Sequence, residues 1–309
     1  MGSPVDAVRE AAEGPGAEIV VGAELALLTT LRVGGPTDLL VTVDDEAALV
    51  RTVRAARAQR VPILVVGRGS NLLIPDQGWP GLVLRLGRGF RGVHIQGTRV
   101  VTGGAEPMPS VAIRTAQAGL AGFAWGAAVP GSMGGGVRMN AGAHGADMSD
   151  SLVSARVLDM VTGAFTDWDK ERLRLAYRSS ALTPTSLVTE VTLDLDAAER
   201  SEVLAEIDAI RSWRREHQPL DRPSCGSVFT NPPGASAGAL IERAGLKGMR
   251  VGGAEVSTTH ANFIVTSPGA CASDVEELVE LVTRRVLAET GIALRTEVVR
   301  PSLAASRDG

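Results

Sequence analysis

Two periods of apolar residues run along the chain and predict a mixture of helices and strands. Apolar residues three and four apart, typical of a helix with one buried face, occur over 44–60, 108–119, 202–217 and from 274 onward. Asp44 is the predicted N-cap of the first helix, and Ser273 or Asp274 that of the last. Short apolar or alternating runs predict strands at 61–66, 82–86, 93–96, 99–102, 152–159, 163–168, 186–195 and 294–299.

The order of these elements favours the α+β class over a doubly wound sheet, because helix-separated strands are mixed with hairpins. A length of 309 residues leaves room for two domains. We place the first domain at 1–195, with two α+β subdomains split near residue 87, and a smaller second domain at 196–309. The last predicted strand is free to pack back on the first subdomain.

Composition and charge exclude several classes of protein. The net charge of −4 offers no basic excess for nucleic acid. No apolar run is as long as a membrane span, and no charged-then-apolar segment opens the sequence, so we expect no membrane association. Two cysteines and four scattered histidines predict neither a disulfide framework nor a metal site, and they favour the cytoplasm.

Residues 129–145, VPGSMGGGVRMNAGAHG, are the most informative segment of the chain and hold six glycines. Glycine lets a ligand approach the backbone and lets successive amides point at one anion, such as a pyrophosphate. A flexible linker is the alternative, but linkers are usually polar and repetitive. The Val, Met, Pro and Asn residues in this segment favour a packed loop.

A second glycine-rich loop, GRGSN at 67–71, follows a predicted strand. It lacks the third glycine of a GxGxxG fingerprint, so by itself it fits an ordinary turn as well as a phosphate loop. Thr29, Thr30 and the segment 33–36 add a third surface of small residues. Three such surfaces in one domain fit a long ligand such as a dinucleotide.

Four polar residues are candidates for chemistry, and each also has a purely structural interpretation. Arg178 can hold a carboxylate or phosphate or form a surface ion pair. Ser227, which no GxSxG elbow surrounds, can donate a proton or cap a turn. From spacing alone, Glu297 fits the solvent face of a strand, and His260 fits a structural hydrogen-bonder.

Eight segments in this order resemble the UDP-N-acetylenolpyruvoylglucosamine reductase (MurB) family, in its shorter type. They are LTTLRVGGPTD (28–38), GRGSNLL (67–73), VPGSMGGGVRMNAGAHG (129–145), YRSS (177–180), CGSVFTNP (225–232), AGLKG (244–248), VSTTHANFIV (256–265) and LRTEV (294–298). The resemblance implies an FAD-binding fold of the PCMH, or vanillyl-alcohol-oxidase, type, followed by a substrate-binding α+β domain. It also implies non-covalent FAD, NADPH as hydride donor, and a UDP-sugar enolpyruvyl ether as substrate, reduced to UDP-N-acetylmuramate for peptidoglycan by a cytoplasmic monomer.

The resemblance assigns roles residue by residue. It implies that Arg178 stabilises an enolate-like charge, that Ser227 donates a proton, and that Glu297 orients a donor or relays the proton. The implied cofactor-binding residues are Gly67, Arg68, Gly69, Ser70, Asn71, Pro130, Gly131, Ser132, Gly134, Gly135, Asn140, Ala141 and Gly142. The implied substrate-binding residues are Tyr177, Arg211, His217, Asn231 and His260.

Several positions depart from the family pattern. His217 stands where a lysine is frequent, near the expected substrate phosphates, and His144 stands where a tyrosine is frequent. Ala124, Thr266 and Arg295 are further departures, and none removes a catalytic group. These changes leave three alternatives: a flavin reductase of another enoyl or sugar-nucleotide substrate, a non-catalytic flavin or nucleotide-sugar binder, and, more weakly, an oxidase with covalent flavin.

Overall fold

The computed structural model describes residues 2–303, and its first region is a sheet covered by two helices. The sheet has the order β1-β2-β4-β3, with β1 antiparallel to β2 and the other neighbours parallel. Its core lies between one sheet face and the helices α1 and α2. The elements of this region are α1 Pro4–Ala12, β1 Ala17–Val21, β2 Thr37–Val43, α2 Glu46–Ala58, β3 Ile63–Val65 and β4 Trp79–Leu86.

The middle region is built on a five-stranded antiparallel sheet of order β11-β10-β12-β6-β5. Two small ribbons, β8-β9 and β13-β7, accompany it. The elements are β5 Val93–Gln96, β6 Arg99–Gly103, α3 Met108–Gln117, β7 Leu120–Ala121, α4 Met133–Arg138, β8 Gly142–Ala143, β9 Ala146–Asp147, α5 Met148–Ser151, β10 Leu152–Asp159, β11 Ala164–Asp169, α6 Lys170–Leu173, β12 Ser186–Asp194, β13 Asp196–Ala197 and α7 Arg200–His217.

The C-terminal region packs two helices on a second antiparallel sheet, of order β14-β17-β16-β15. Leu31, Val33 and Leu73 of the first region complete its core. This region therefore packs directly on the chain around the GRGSN loop. Its elements are β14 Ser224–Ser227, α8 Ala237–Arg243, β15 Arg250–Val251, β16 Ala254–Val256, β17 Phe263–Thr266 and α9 Ala272–Thr290.

Helix α7 packs with the middle region, although it follows the boundary predicted near residue 196. Val203, Ile207 and Ile210 are buried among the residues of the middle core. Their spacing of three and four residues forms the apolar stripe expected of a helix with one buried face. We propose that the C-terminal domain begins after this helix, nearer residue 218.

The α+β class and most elements predicted from periodicity are confirmed, but both predicted helix caps need correction. The carboxylate of Asp45, not that of Asp44, accepts the Ala48 amide at 2.7 Å and caps α2. Cys271 is the N-cap of α9, and Asp274 lies three residues inside the helix, accepting the Cys271 amide at 3.0 Å. A reciprocal capping box places the acidic residue at that third position.

The strand predicted at 294–299 is wrong, because this segment forms only two isolated bridges. Thr296 pairs with Phe229 of the C-terminal region, and Val299 pairs with Leu72 beside the GRGSN loop. The two parts of the segment therefore pair with different regions of the protein, so no continuous ladder of hydrogen bonds forms. The consequence is that Glu297, between the two bridges, lies where the C-terminal and first regions meet.

Candidate functional site

A cavity of about 950 Å³ lies between the three regions. Its walls include residues 67–72, 128–132, 141–144 and 222–227, together with Arg178, His260 and Glu297. Segments far apart in sequence therefore meet around one space. All three predicted catalytic residues and both glycine-rich segments contribute to these walls.

The GRGSN loop offers unpaired backbone donors to this cavity. Within residues 2–303, no backbone amide from Gly67 to Leu72 donates to a protein acceptor, and the same holds for Gly131 and Ser132. Thr30, which also lines the cavity, has a buried Oγ1 without a partner in the described chain. Buried polar groups are normally satisfied, so these donors fit an anionic ligand such as a dinucleotide diphosphate.

Gly69 fixes the position of this loop. Its φ is +61°, and a Cβ there would lie 2.0 Å from the carbonyl oxygen of Leu28. The Thr30 amide donates to the Gly69 carbonyl at 3.2 Å. The loop is therefore pinned against the segment that carries the unpaired Thr30 hydroxyl, an approach that a larger side chain would prevent.

Besides Arg91, Arg222 and Arg300, three further arginines that sequence analysis missed line the cavity: Arg85, Arg138 and Arg214. Burial lowers the pKa of each guanidinium. Within the described residues, none of the three has a carboxylate within 4.0 Å. Partly buried cations without acidic partners fit the phosphates of a ligand. Sequence alone does not separate them from the exposed arginines of the same elements.

Arg178 and Glu297 form an ion pair in the cavity wall. Arg178 Nε lies 2.8 Å from Glu297 Oε1, and both side chains are mostly buried. The Nε–H group is not aligned with that oxygen, so the contact is a charge pair without a good hydrogen bond. Burial raises the pKa of the Glu297 carboxyl, and the nearby Arg178 charge counteracts part of that increase. The pair contradicts the interpretation of Glu297 as a solvent-facing residue.

A short turn aims the Arg178 side chain. Ala176 and Ser179 exchange backbone hydrogen bonds of 3.1 and 3.0 Å around Tyr177 and Arg178. Arg178 has a φ of +55°, a conformation that usually favours glycine at this place in a turn. Its Nη2 donates to the carbonyl of Gly142 at 2.9 Å. Strained backbone of this kind is concentrated at functional sites.

Ser227 ends β14, and a buried amide fixes the chain after it. The side chain of Asn262 accepts from the Phe229 amide at 3.0 Å and donates to its carbonyl at 2.8 Å. The carbonyl of Val228, the residue between Ser227 and Phe229, accepts the Glu297 amide at 2.7 Å. Ser227 and Glu297 are therefore held close along the backbone. Sequence analysis missed Asn262, although it stands in the same motif as His260.

Twelve of the thirteen predicted cofactor-binding residues line the cavity, and Asn140 is the exception. Asn140 is buried, and its Nδ2 donates to Asp147 at 3.1 Å and to the Ala176 carbonyl at 3.0 Å. Its Oδ1 accepts the Ser149 amide at 3.1 Å. Because its amide is fully used inside the protein, Asn140 joins the glycine-rich segment to the Arg178 turn.

The predicted substrate-binding residues divide into two groups. Asn231 and His260 line the cavity, and burial lowers the pKa of His260. Tyr177, Arg211 and His217 do not line it. The Tyr177 hydroxyl accepts the Asn231 amide at 3.3 Å, and Arg211 faces Asp208 at 3.9 Å.

His217 is exposed and stacks on Trp213 instead of reaching the cavity, with ring centroids 4.6 Å apart. Arg214, one turn earlier on α7, is the helix's cavity-lining cation. The lysine-to-histidine departure therefore lies outside the cavity wall.

Residues 2–303 contain neither a metal-binding cluster nor a membrane-spanning helix. No cluster of three or more His, Cys, Asp or Glu side chains is arranged to hold a metal ion. In the same residues, every helix is too short or too polar to cross a bilayer.

Two stretches of the chain match known protein domains. Residues 37–167 match an FAD binding domain, and residues 218–300 match the UDP-N-acetylenolpyruvoylglucosamine reductase, C-terminal domain. UDP-N-acetylenolpyruvoylglucosamine reductase 1 of Bacillus cereus is 38% identical over 94% of this chain and 97% of its own length.

Solved structures extend the comparison to the fold. UDP-N-acetylenolpyruvylglucosamine reductase (MurB) from Thermus caldophilus is 39% identical, with a TM-score of 0.79 over 93% of this chain and 99% of that one. Wild-type BBE-like 1 of Physcomitrella patens is 12% identical, with a TM-score of 0.59 over 99% of this chain and 94% of that one. The second likeness shows a shared fold alone.

Proposed function

This chain belongs to the UDP-N-acetylenolpyruvoylglucosamine reductase family, and we propose that it reduces the enolpyruvyl ether of UDP-N-acetylglucosamine to UDP-N-acetylmuramate, a peptidoglycan precursor. It is an FAD-dependent oxidoreductase. NADPH is the hydride donor in this proposal. The observation that carries the proposal is one cavity that joins the unpaired amides of the GRGSN loop to Arg178, Glu297 and Ser227.

The residues present fit FAD. The amides of 67–72, those of Gly131 and Ser132, and the Thr30 hydroxyl are donors without protein acceptors in the described chain, and a diphosphate supplies such acceptors. When bound, FAD would transfer a hydride from NADPH to the substrate double bond. We propose that this chain's backbone holds the cofactor while its side chains act on the substrate.

The volume and charge of the cavity support a nucleotide substrate beside the cofactor. About 950 Å³ is near the upper end of ligand sites in proteins, which run to roughly 1,000 Å³. Arg138 and Arg214 lack carboxylate partners within residues 2–303 and line this space. We propose that such cations neutralise the substrate diphosphate and that His217 is not required for it.

Arg178 and Glu297 are proposed to act on charge in the acceptor. Hydride addition to the terminal carbon of the enolpyruvyl group moves negative charge toward the adjacent carbon and the carboxylate. Arg178, fixed by Glu297 and the Gly142 carbonyl, is preorganised to stabilise that charge. Glu297 is proposed to hold the guanidinium in place and to relay a proton from its partly desolvated carboxyl.

Ser227 is proposed to deliver the proton to the second carbon. A hydroxyl is a weak acid, so this role depends on accurate placement. The Asn262 amide supplies that placement by fixing the backbone immediately after β14. We further propose that the enzyme acts as a monomer in the cytoplasm.

A single anaerobic experiment tests the reaction. The flavin of the purified holoenzyme is reduced with one equivalent of NADPH, and the UDP-N-acetylglucosamine enolpyruvyl ether is then added. We expect the absorbance band of oxidised flavin to return rapidly. Flavin reduction without that return would indicate another acceptor, and no reduction by NADPH would indicate a non-catalytic binder.

A further inference from the structure

Three aromatic rings form a stack at the rim of the cavity, and the proposed function leaves it unused. Trp213 and His217 lie one turn apart on α7 and stack with an interplanar angle of 9°. His144, from the β8-β9 ribbon, meets the Trp213 ring edge-on with centroids 5.1 Å apart. The stack therefore joins helix α7 to this ribbon. Trp213 and His144 also line the cavity.

A backbone hydrogen bond orients the outer ring of the stack. His217 Nδ1 lies 2.9 Å from the Trp213 carbonyl oxygen. Since a carbonyl oxygen only accepts, the Nδ1 atom carries the proton in this contact. His217 is thereby fixed beneath Trp213, and the pair presents a rigid surface to His144.

The ribbon reached by this stack contacts Arg178, which the proposed function places at the reacting group. Arg178 Nη2 donates to the Gly142 carbonyl at 2.9 Å, two residues before His144. Asn140, His144 and Arg178 have φ values of +40°, +54° and +55°. Three neighbouring non-glycine residues are thus held in left-handed backbone, which costs free energy unless surrounding contacts maintain it.

We propose that the His144–Trp213–His217 stack is a positioning device that holds the β8-β9 ribbon, and through it the Arg178 guanidinium, in catalytic geometry. The device explains why the two histidines that depart from the family pattern contact one tryptophan. The inference rests on the proposed function only for the role of Arg178.

The ribbon is too small to keep its position without contacts from outside, and the His144–Trp213 contact adds to those that the Asn140 side chain makes. β8 and β9 have two residues each, and a two-stranded hairpin of that size is not stable alone. Edge-to-face contact between aromatic rings adds stabilisation beyond the burial of the rings. Loss of the contact would free the Gly142 carbonyl and allow the guanidinium to move. A displacement of about 1 Å at a catalytic group is enough to cost up to roughly a hundredfold in rate.

The first test compares Trp213→Ala, Trp213→Phe and His144→Ala in the holoenzyme. We expect Trp213→Ala and His144→Ala to slow flavin reoxidation by the enolpyruvyl substrate about tenfold, with reduction by NADPH nearly unchanged. Trp213→Phe keeps an aromatic face and should restore most of the rate. Trp168→Ala is the matched control, because Trp168 lies on β11, contacts Arg172 of α6 and does not line the cavity.

A second readout follows Glu297 by carbon-13 NMR titration, with Glu297→Gln to assign its carboxyl signal. Arg178 lowers the pKa of this carboxyl against the effect of burial, so withdrawal of Arg178 must raise it further. Cys225, a titratable group that interacts with Glu297, stays neutral because burial raises its pKa to about 12. We therefore expect a higher Glu297 pKa in Trp213→Ala than in the wild type or in Trp168→Ala.

The outcomes separate this inference from the proposed function. An unchanged Glu297 pKa in a folded, flavin-loaded Trp213→Ala variant would overturn the inference. Equal loss of both half-reactions, or no loss of either, would also overturn it. If the wild type fails to turn over the UDP substrate, the proposed function fails, whereas the NMR titration still decides whether the stack positions Arg178.

Discussion

The GRGSN side of the cavity and the Arg178 side use different parts of the chain. Residues 67–72 offer backbone amides, which every residue except proline has whatever its side chain, and one glycine of φ +61° sets their arrangement. The other side uses the side chains of Arg178, Glu297 and Ser227, which come from three separate segments. One side is a single continuous loop, whereas the other exists only when the three regions are assembled.

This difference indicates which substitutions each side tolerates. A ligand held by several amides loses little when one side chain changes, because the remaining donors stay in place. A guanidinium or hydroxyl that interacts with charge developing in the reaction has no equivalent group beside it. Its removal therefore destabilises the transition state directly. Substitutions on the Arg178 side should therefore reduce rate strongly, while those on the GRGSN side should reduce cofactor affinity modestly.

The largest effect is expected from Ser227→Ala. General acids contribute about 10²–10⁴ in rate, so flavin reoxidation by the enolpyruvyl substrate should slow by roughly a thousandfold. Reduction by NADPH should remain nearly normal, as measured by stopped-flow absorbance of each half-reaction. Ser154→Ala, on β10 outside the cavity walls, is the control. Equal losses in both half-reactions would exclude the proton-donor role.

Arg178→Lys should follow, with a loss of about a hundredfold in kcat. Lysine keeps the charge but cannot contact Glu297 and the Gly142 carbonyl with one planar group, as the guanidinium does at 2.8 and 2.9 Å. Steady-state kinetics with both substrates measures the effect. Arg156→Lys, in a surface pair with Glu46 at 3.1 Å, should leave kcat unchanged. Near-normal turnover of Arg178→Lys would show that the planar guanidinium group is not required.

The same difference explains what sequence analysis predicted well. The GRGSN loop, the glycine-rich segment and the small residues at 29–36 are each local, and together they led to the prediction of a surface that fits a dinucleotide. Helix periods and hairpin turns are also local, and they predicted most elements. Residues 294–299 alternate like a strand, yet their partners, Phe229 and Leu72, lie in different regions and allow only single bridges. The periodicity of apolar residues in a segment does not reveal pairing partners that are distant in the sequence.

The direction in which side chains point on α7 also could not be predicted from the sequence. Arg211, Arg214 and His217 all lie on α7, but only Arg214 lines the cavity. The choice depends on how α7 packs its Val203, Ile207 and Ile210 stripe on the middle core. The Arg178–Glu297 pair was likewise hidden, because spacing alone favoured a surface role for each residue.

The smallest predicted effect tests the GRGSN side through Thr30→Val. The Thr30 hydroxyl is buried, lines the cavity and has no partner within residues 2–303. If FAD supplies its acceptor, removing one hydrogen bond to a charged group should weaken FAD binding about tenfold. Equilibrium dialysis of the flavin measures this, and kcat at saturating FAD should stay within about twofold of the wild type, because the loop amides remain.

Thr102→Val is the matched control for that prediction. Thr102 also has a buried Oγ1 without a partner in the described chain, but it lies on β6 and does not line the cavity. Valine removes an unsatisfied hydroxyl at nearly constant volume, so thermal stability should rise slightly and FAD affinity should not change. Equal FAD affinity in Thr30→Val and Thr102→Val would show that the Thr30 hydroxyl does not bind the cofactor. A large loss of kcat at saturating FAD in Thr30→Val would instead remove the distinction between an affinity side and a rate side.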